Sequence, residues 1–208
     1  MTKPLMVHVI TNFAGVGGAE MMLARLIQCT EQQYKHVIIA LMKTSEVYQS
    51  TLDRCQAHYA LDWNGINTLG TVSKLRTLLK KLQPATVQCW MYHANVLTSL
   101  SIIGLAQKPK VVWGIHHSLA SPKDESISTK IALGLSKILS QQASAIIYCA
   151  HSSMQQHQAF GFKNGNSQVI ANGVFLDKFQ PNPQLHEPTV IGFAGRYHIA
   201  KGYPYLFE

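Results

Sequence analysis

Residues Leu5–Gln28 read LMVHVITNFAGVGGAEMMLARLIQ, and their reading decides the fold. The first seven are apolar and β-rich, which predicts a strand. A glycine-bearing loop follows, and then Met22, Leu23, Leu26 and Ile27 recur at helical spacing, predicting the buried stripe of a helix from about Gly18 to Gln28. A strand that turns through glycines straight into an amphipathic helix is one βα unit.

The same rhythm runs outward along the chain. "HVIIALM" predicts the next strand, with a polar helix near Ser45 to Gln56 and a short strand "HYALD" after it. Leu75, Leu78, Leu79 and Leu82 mark an amphipathic helix over Leu69–Leu82, whose outer face carries Lys74, Arg76, Lys80 and Lys81. Pro84 stops it before the strand "ATVQCWM". Ala94–Ala106 is apolar nearly all round and predicts a well-buried helix. "KVVWGIH" is a near-continuous hydrophobic strand, as in a parallel sheet covered on both faces. A polar loop, "HSLASPKDES", precedes a helix from about Ser126 to Gln142. "ASAIIYCA" and "SQVIANGV" are two further strands flanking a helix over Ser152–Phe160. Regular β-α alternation implies a parallel sheet with right-handed crossovers, a doubly wound, Rossmann-like α/β domain. It is expected to span residues 1–172. A proline-rich linker over 173–188 follows, and 189–208 reads as the first βα unit of a truncated second domain.

With 208 residues, 47% of them hydrophobic and 13% charged, the chain can bury one substantial core and is not compositionally disordered. A net charge of +8 points to anionic partners without choosing among phosphates, acidic glycans, nucleic acid and membrane. Cys29, Cys55, Cys89 and Cys149 are scattered without a C-x-x-C pair, which suits reduced cysteines in a cytoplasmic protein. The N-terminus lacks the apolar core of a signal peptide, and "ANVLTSLSIIGLAQ" is too short to span a bilayer.

The loop holding Gly15, Gly17 and Gly18 sits where an open α/β sheet binds ligands, outside the carboxyl end of a strand. Its glycines allow close backbone approach and expose amides at a helix N-terminus. A dinucleotide fingerprint counted from Gly15 would need glycine at position 20, which is Glu20, and "ALMKTS" supplies no ribose-binding acid. The G-K-[ST] ending of a P-loop is also missing. Two readings stay open: a ligand-contacting loop, or a packing turn in which Glu20 complements the helix dipole.

Three segments occur in order: "GGAE" opening the first helix, "NGVFLDKF" at the end of the first domain, and "GFAGRYHIAKG" after the proline-rich linker. Together they resemble the retaining glycosyltransferases of family 4 (glycosyltransferase group 1), which have the GT-B fold. The resemblance implies an N-terminal acceptor-binding domain and a donor-binding domain across a cleft. It further implies transfer from a nucleotide-sugar donor to a glycan or lipid-linked acceptor, in cell-surface polysaccharide or lipopolysaccharide synthesis. Arg196 and Lys201 would then grip the donor diphosphate, offsetting charge on the leaving group without a metal. No cofactor is implied, the nucleotide-sugar being a substrate. The family's E-x7-E glutamate pair has no counterpart before Glu208, so the 208 residues are expected to be an inactive fragment.

In the family a histidine at the end of the fifth strand lies near the transferred sugar. His116 and His117 are the candidates, with alternation sending them to opposite sides and His117 nearer the carboxyl end. Tyr92, His93 and Asn95, where a helix starts, are placed to bond sugar hydroxyls, though Asn95 suits local capping equally. Trp63 and Asn64 fit either a sugar face or a turn, and Lys123, Asp124 and Glu125 either an acceptor loop or a solvated one. The basic helix face is either solvated or a peripheral contact with an anionic membrane. Nucleic acid is not expected, because aromatics do not interleave with the basic residues. Two other functions remain: a nucleotide-sugar epimerase of related two-domain fold, and a non-enzymatic sugar- or nucleic-acid-binding α/β module.

Overall fold

A computed structural model describes residues 3–119, 121–176, 193, 195 and 203–206. The chain divides into two compact units, Met1–Gly173 and Val174–Glu208. Arg196, Lys201 and most of the linker and of the last expected strand lie outside the described residues. In the second unit the Tyr203 hydroxyl donates to the Gly195 carbonyl at 2.7 Å, and its ring meets Phe193 edge to face.

The first unit is built on seven parallel strands: β1 (Leu5–Ile10), β2 (Lys35–Ala40), β3 (Ala57–Ala60), β4 (Thr86–Trp90), β5 (Lys110–Ile115), β6 (Ala145–Tyr148) and β7 (Ser167–Val169). Their order in the sheet is β3-β2-β1-β4-β5-β6-β7, so β1 and β4 lie side by side and the chain winds away from them in both directions. Val7 of β1 sits between Val37 and Val87 in register. Helix α1 (Gly18–Thr30) and the single turn α2 (Gln49–Leu52) cover one face, where Leu23, Ile27 and Leu52 pack on Ile10, Ile38 and Trp90. Helices α3 (Thr68–Leu82), α4 (Tyr92–Ser101), α5 (Ile127–Leu139) and α6 (His151–Phe160) cover the other. There Leu75, Leu79, Leu97 and Leu133 pack on Val9, Val87 and Trp113. Burial on both faces explains why the strands read as continuous apolar runs rather than alternating ones.

Three helices differ from their sequence reading. The helix expected over Ser45–Gln56 is a 3-10 turn at Glu46–Tyr48 followed by α2. Tyr48 turns inward to stack on Phe13, ring centroids 4.2 Å apart, and a segment this short gains too few hydrogen bonds to resist the break. Helix α4 begins two residues early and ends at Ser101, because Gly104 takes a left-handed φ of 71° and the Arg76 guanidinium donates to the carbonyls of Ser101, Ile103 and Gly104. Arg76 therefore caps the negative end of α4, while Lys74, Lys80 and Lys81 stay exposed. Helix α5 starts after Ser126, whose hydroxyl accepts from the Thr129 amide, and closes as a 3-10 turn at Ser140–Gln142.

Candidate functional site

The carboxyl ends of β1, β4 and β5 meet where the winding reverses, the position at which a doubly wound sheet opens a crevice. The loop after β1 forms one side of it. Gly17 precedes α1 with extended backbone, and a side chain there would run into the Glu20 carboxylate, which folds back over it. Gly15 and Gly18 are exposed and face open space, so packing does not require glycine at either. The Tyr48 hydroxyl holds the loop from beneath, donating to the Gly15 carbonyl at 3.1 Å. Burial and the Glu20 carboxylate both push that phenol's pKa up.

The turn out of β4 is strained. Met91 has φ 73° and ψ 172°, a conformation that costs a non-glycine residue about 1–3 kcal/mol. Its amide donates to the Gly114 carbonyl at 3.0 Å, and its sulfur accepts from the His116 amide. These bonds tie the ends of β4 and β5 together. The His116 imidazole then folds back onto the Trp90 indole, 5.0 Å between centroids and 15° between planes. Gly114 makes room for it: a side chain there would press on the Cys89 carbonyl at 3.3 Å and on His116 Nε2 at 3.4 Å. His116 Nδ1 donates to Asn172 Oδ1 at 3.1 Å. Burial lowers the His116 pKa despite the opposing Asn172 hydrogen bond, so the ring is neutral at pH 7. The next carbonyl, Gly173 O, accepts from Arg25 of α1 at 2.7 Å. Asn172 and Gly173 are thus pinned between α1 and His116.

His117 turns to the opposite side. Its Nε2 lies 2.6 Å from Glu125 Oε1, with the two side chains 40% and 22% exposed. A carboxylate only accepts, so Nε2 carries the proton, and in the neutral ring Nδ1 is the basic nitrogen. The Tyr92 ring meets His117 edge-on at 6.2 Å. Tyr92 is itself buried, and its hydroxyl lies 2.6 Å from His157 Nε2. His157 Nδ1 donates to the Ser153 carbonyl at 2.7 Å, which leaves Nε2 as acceptor and Tyr92 as donor. Ser153 Oγ in turn donates to the His117 carbonyl at 2.7 Å. Gln156 Oε1 accepts from Ser118 and the Leu119 amide, so α6 holds the whole segment after β5.

The remaining candidates separate by exposure. His93 is half-buried, 2.9 Å from Ser128 Oγ and tilted against Trp63 at 5.2 Å, and both rings line an apolar cavity of about 390 Å³. Asn95 is 0% exposed, with neither side-chain polar atom hydrogen-bonded, so it does not cap α4, whose N-cap is Met91. Tyr92 likewise has its hydroxyl committed to His157. Asn64 is a turn residue whose Oδ1 accepts from the Ile66 and Asn67 amides. Lys123 and Asp124 are exposed, and only Glu125 of that loop turns in to His117. A cavity of about 580 Å³ beside Leu79, Lys80 and Pro109 lies at the amino edge of the sheet, away from this constellation.

Behind Trp90 runs a buried chain of polar rings. The indole Nε1 donates to His8 Nδ1 at 3.4 Å, so His8 Nε2 carries its proton and donates to His36 Nδ1 at 3.0 Å. His36 Nε2 then donates to Thr30 Oγ1, which donates to the Leu26 carbonyl. Each ring has one donor and one acceptor used, the tautomer of each being set by the bond before it. The polar atoms of this core are satisfied only while both histidines are neutral, and burial with the neighbouring His36 lowers His8 to about 3.

Sheet order and switch point define a doubly wound Rossmann-like domain, and the comparisons identify it as the N-terminal domain of a GT-B fold. Residues 16–178 match the model of Glycosyltransferase Family 4, and the chain belongs to that family. No curated protein matches the chain. Among solved structures, Anabaena HepE in complex with UDP is similar, at 16% identity and a TM-score of 0.66 over 88% of this chain and 47% of that one. The lipopolysaccharide outer core galactosyltransferase WaaB, in its apo form, is 13% identical with a TM-score of 0.65, covering 88% of this chain and 50% of its own. The UDP-N-acetylglucosamine 2-epimerase from Rickettsia bellii is 13% identical with a TM-score of 0.57, covering 82% and 45%. The chain spans about half the length of these structures, and the likeness to them is one of fold.

Trp90 and Ser153 are the contributors that motif reading passes over, while Glu125 reads only as a loop residue and Asn172 only as the opening of the "NGVFLDKF" segment. Asn172 had a visible signal, since it lies three residues beyond the end of β7 at Val169 and opens the "NGV" segment. Trp90 and Ser153 had none, because a tryptophan ending a strand and a serine in a helix read as core and surface.

Proposed function

We propose that this chain is the acceptor-binding half of a retaining glycosyltransferase that moves a sugar from a nucleotide-sugar to a glycan or lipid-linked acceptor in surface polysaccharide or lipopolysaccharide synthesis. The observation that carries the reading is the family match over residues 16–178. The two histidines where β5 meets the crevice supply the chemistry. His117, with its Nε2 proton held by Glu125, offers Nδ1 to a sugar or acceptor hydroxyl, and His116, neutral and clamped between Trp90 and Asn172, forms the wall beside it. The exposed glycine loop would take the acceptor's polar groups on backbone amides.

Arg196 and Lys201 remain our candidates for the donor diphosphate, where two cations stabilise the negative charge that grows as the glycosidic bond breaks. The reaction needs no metal in this scheme. The fold is shared with an epimerase, so fold does not separate transfer from epimerisation, and the family match favours transfer. The 208 residues by themselves are proposed to turn over little or no nucleotide-sugar. Among the described residues no helix is long and apolar enough to cross a membrane. A cytoplasmic location is proposed separately, on the scattered cysteines and the resemblance to family 4. Incubation of the protein expressed from its own reading frame with nucleotide-sugars, with and without acceptor, tests the reading: transfer requires an acceptor, whereas epimerised sugar formed without one overturns it.

A further inference from the structure

His117 is held from two directions. Helix α6 fixes the backbone: Ser153 Oγ donates to the His117 carbonyl at 2.7 Å, and Gln156 Oε1 accepts from Ser118 Oγ and the Leu119 amide. The side chain is held from elsewhere, by Glu125 Oε1 at 2.6 Å from Nε2. Glu125 lies in the loop between β5 and α5, and of the three charged residues there it alone turns inward, Lys123 and Asp124 staying exposed. Burial and then the Glu125 carboxylate push the Tyr92 phenol's pKa up, and the Tyr92 ring lies edge-on to His117.

A simpler role is open to Glu125. It directly precedes Ser126, the N-cap of α5, where a carboxylate complements the helix dipole. That role asks only for negative charge near the first amides, not for contact with an imidazole. The 2.6 Å contact does more, because a carboxylate only accepts and so keeps the proton on Nε2. Since α6 already fixes the backbone, what Glu125 adds is the orientation of the ring and the placement of its proton. In the neutral ring Nδ1 then accepts and cannot donate. It suits a hydroxyl, whereas a phosphate or carboxylate oxygen would face it acceptor to acceptor.

We propose that Glu125 is a positioning residue of the transfer reaction: without touching substrate it locks the tautomer of His117, and so selects a substrate hydroxyl rather than an anionic group at the end of β5. The consequence rests on the transfer reading, while the lock itself rests on the contact between Glu125 and His117. The donor's diphosphate is thereby turned away from this wall of the crevice.

The test compares the wild type with Glu125→Gln, which keeps an oxygen acceptor and loses the charge, and Glu125→Leu, which keeps neither. Thermal melting reads the helix-dipole role, which both substitutions weaken alike. Histidine nitrogen-15 shifts of the 208-residue chain, taken where the ring is neutral, read the proton. Expected is an Nε2 proton in the wild type and the glutamine variant, and shifts averaged between the two tautomers in the leucine variant. In the protein expressed from its own reading frame, kcat/KM for sugar transfer should stay within about fivefold in the glutamine variant and fall by about tenfold to a hundredfold in the leucine variant. A proton equally fixed on Nε2 in the leucine variant, or full transfer by that variant, overturns the proposal. So does an equal loss in both variants, since charge rather than the acceptor would then be what counts. The expected shifts with no transfer by the wild type would support the lock and refute the transfer reading.

Discussion

The Trp90 indole lies flat against the His116 imidazole, 5.0 Å between ring centroids and 15° from parallel, so the last residue of β4 supports the first residue beyond β5. The same indole reaches back to His8 in the centre of the sheet. One side chain therefore joins a crevice residue to the buried core.

Replacing Trp90 tests that link in two grades. Trp90→Phe keeps a ring under His116 but deprives His8 Nδ1 of its donor, an expected loss of about 1–3 kcal/mol in urea unfolding. Trp90→Ala also opens a cavity and should cost about 3–5 kcal/mol. It uncovers His116, whose pKa burial now lowers, so NMR titration should show that pKa rising toward 6.5 in the alanine variant only.

Tyr92→Phe removes the hydroxyl that donates to His157 Nε2 and leaves a buried acceptor unpaired. The expected cost is about 1–3 kcal/mol, well above that of an exposed Tyr→Phe change. Nitrogen-15 shifts should show His157 protonated on Nδ1, toward the Ser153 carbonyl, in wild type and variant alike. A proton on Nε2 alone would leave Nδ1 and the Ser153 carbonyl as two facing acceptors and would contradict the assignment.

Stability should fall as pH drops below about 6.5. His8 is held neutral in the folded chain down to about 3 against an ordinary 6.5, so the unfolded chain takes up its proton first. This contribution is fully present above 6.5 and is lost progressively as pH falls toward 3, reaching about 5 kcal/mol. Burial lowers His36, His93, His116 and His157 in the same direction. His8→Gln keeps one donor and one acceptor but does not titrate. Its stability curve between pH 6.5 and 5 should be shallower than the wild type's by about 1.4 kcal/mol per pH unit.

The strands were legible because burial on both faces leaves runs such as "KVVWGIH" that admit few other readings. The departures share a cause: side chains answered partners that lie far away in sequence. Tyr48 broke its helix to reach Phe13, and Arg76 left the basic face for the carbonyls ending α4. Asn95 looked like a crevice residue on the assumption that its helix began at Ala94. In the structure α4 begins at Tyr92 and Asn95 is fully buried within it. The two histidines after β5 were visible as a pair, but the divergence of their surroundings, Trp90 and Asn172 for one and Glu125 for the other, arises only when three strand ends meet.

The most direct test of the central claim follows nucleotide-sugar consumption by the protein expressed from its own reading frame, with the anomeric configuration of the product read by NMR. Expected is acceptor-dependent release of the nucleoside diphosphate with retained configuration, reduced by about a hundredfold or more in Arg196→Ala. Full turnover in that variant removes the diphosphate assignment. An inverted product, or sugar epimerised with no acceptor present, contradicts a retaining glycosyltransferase.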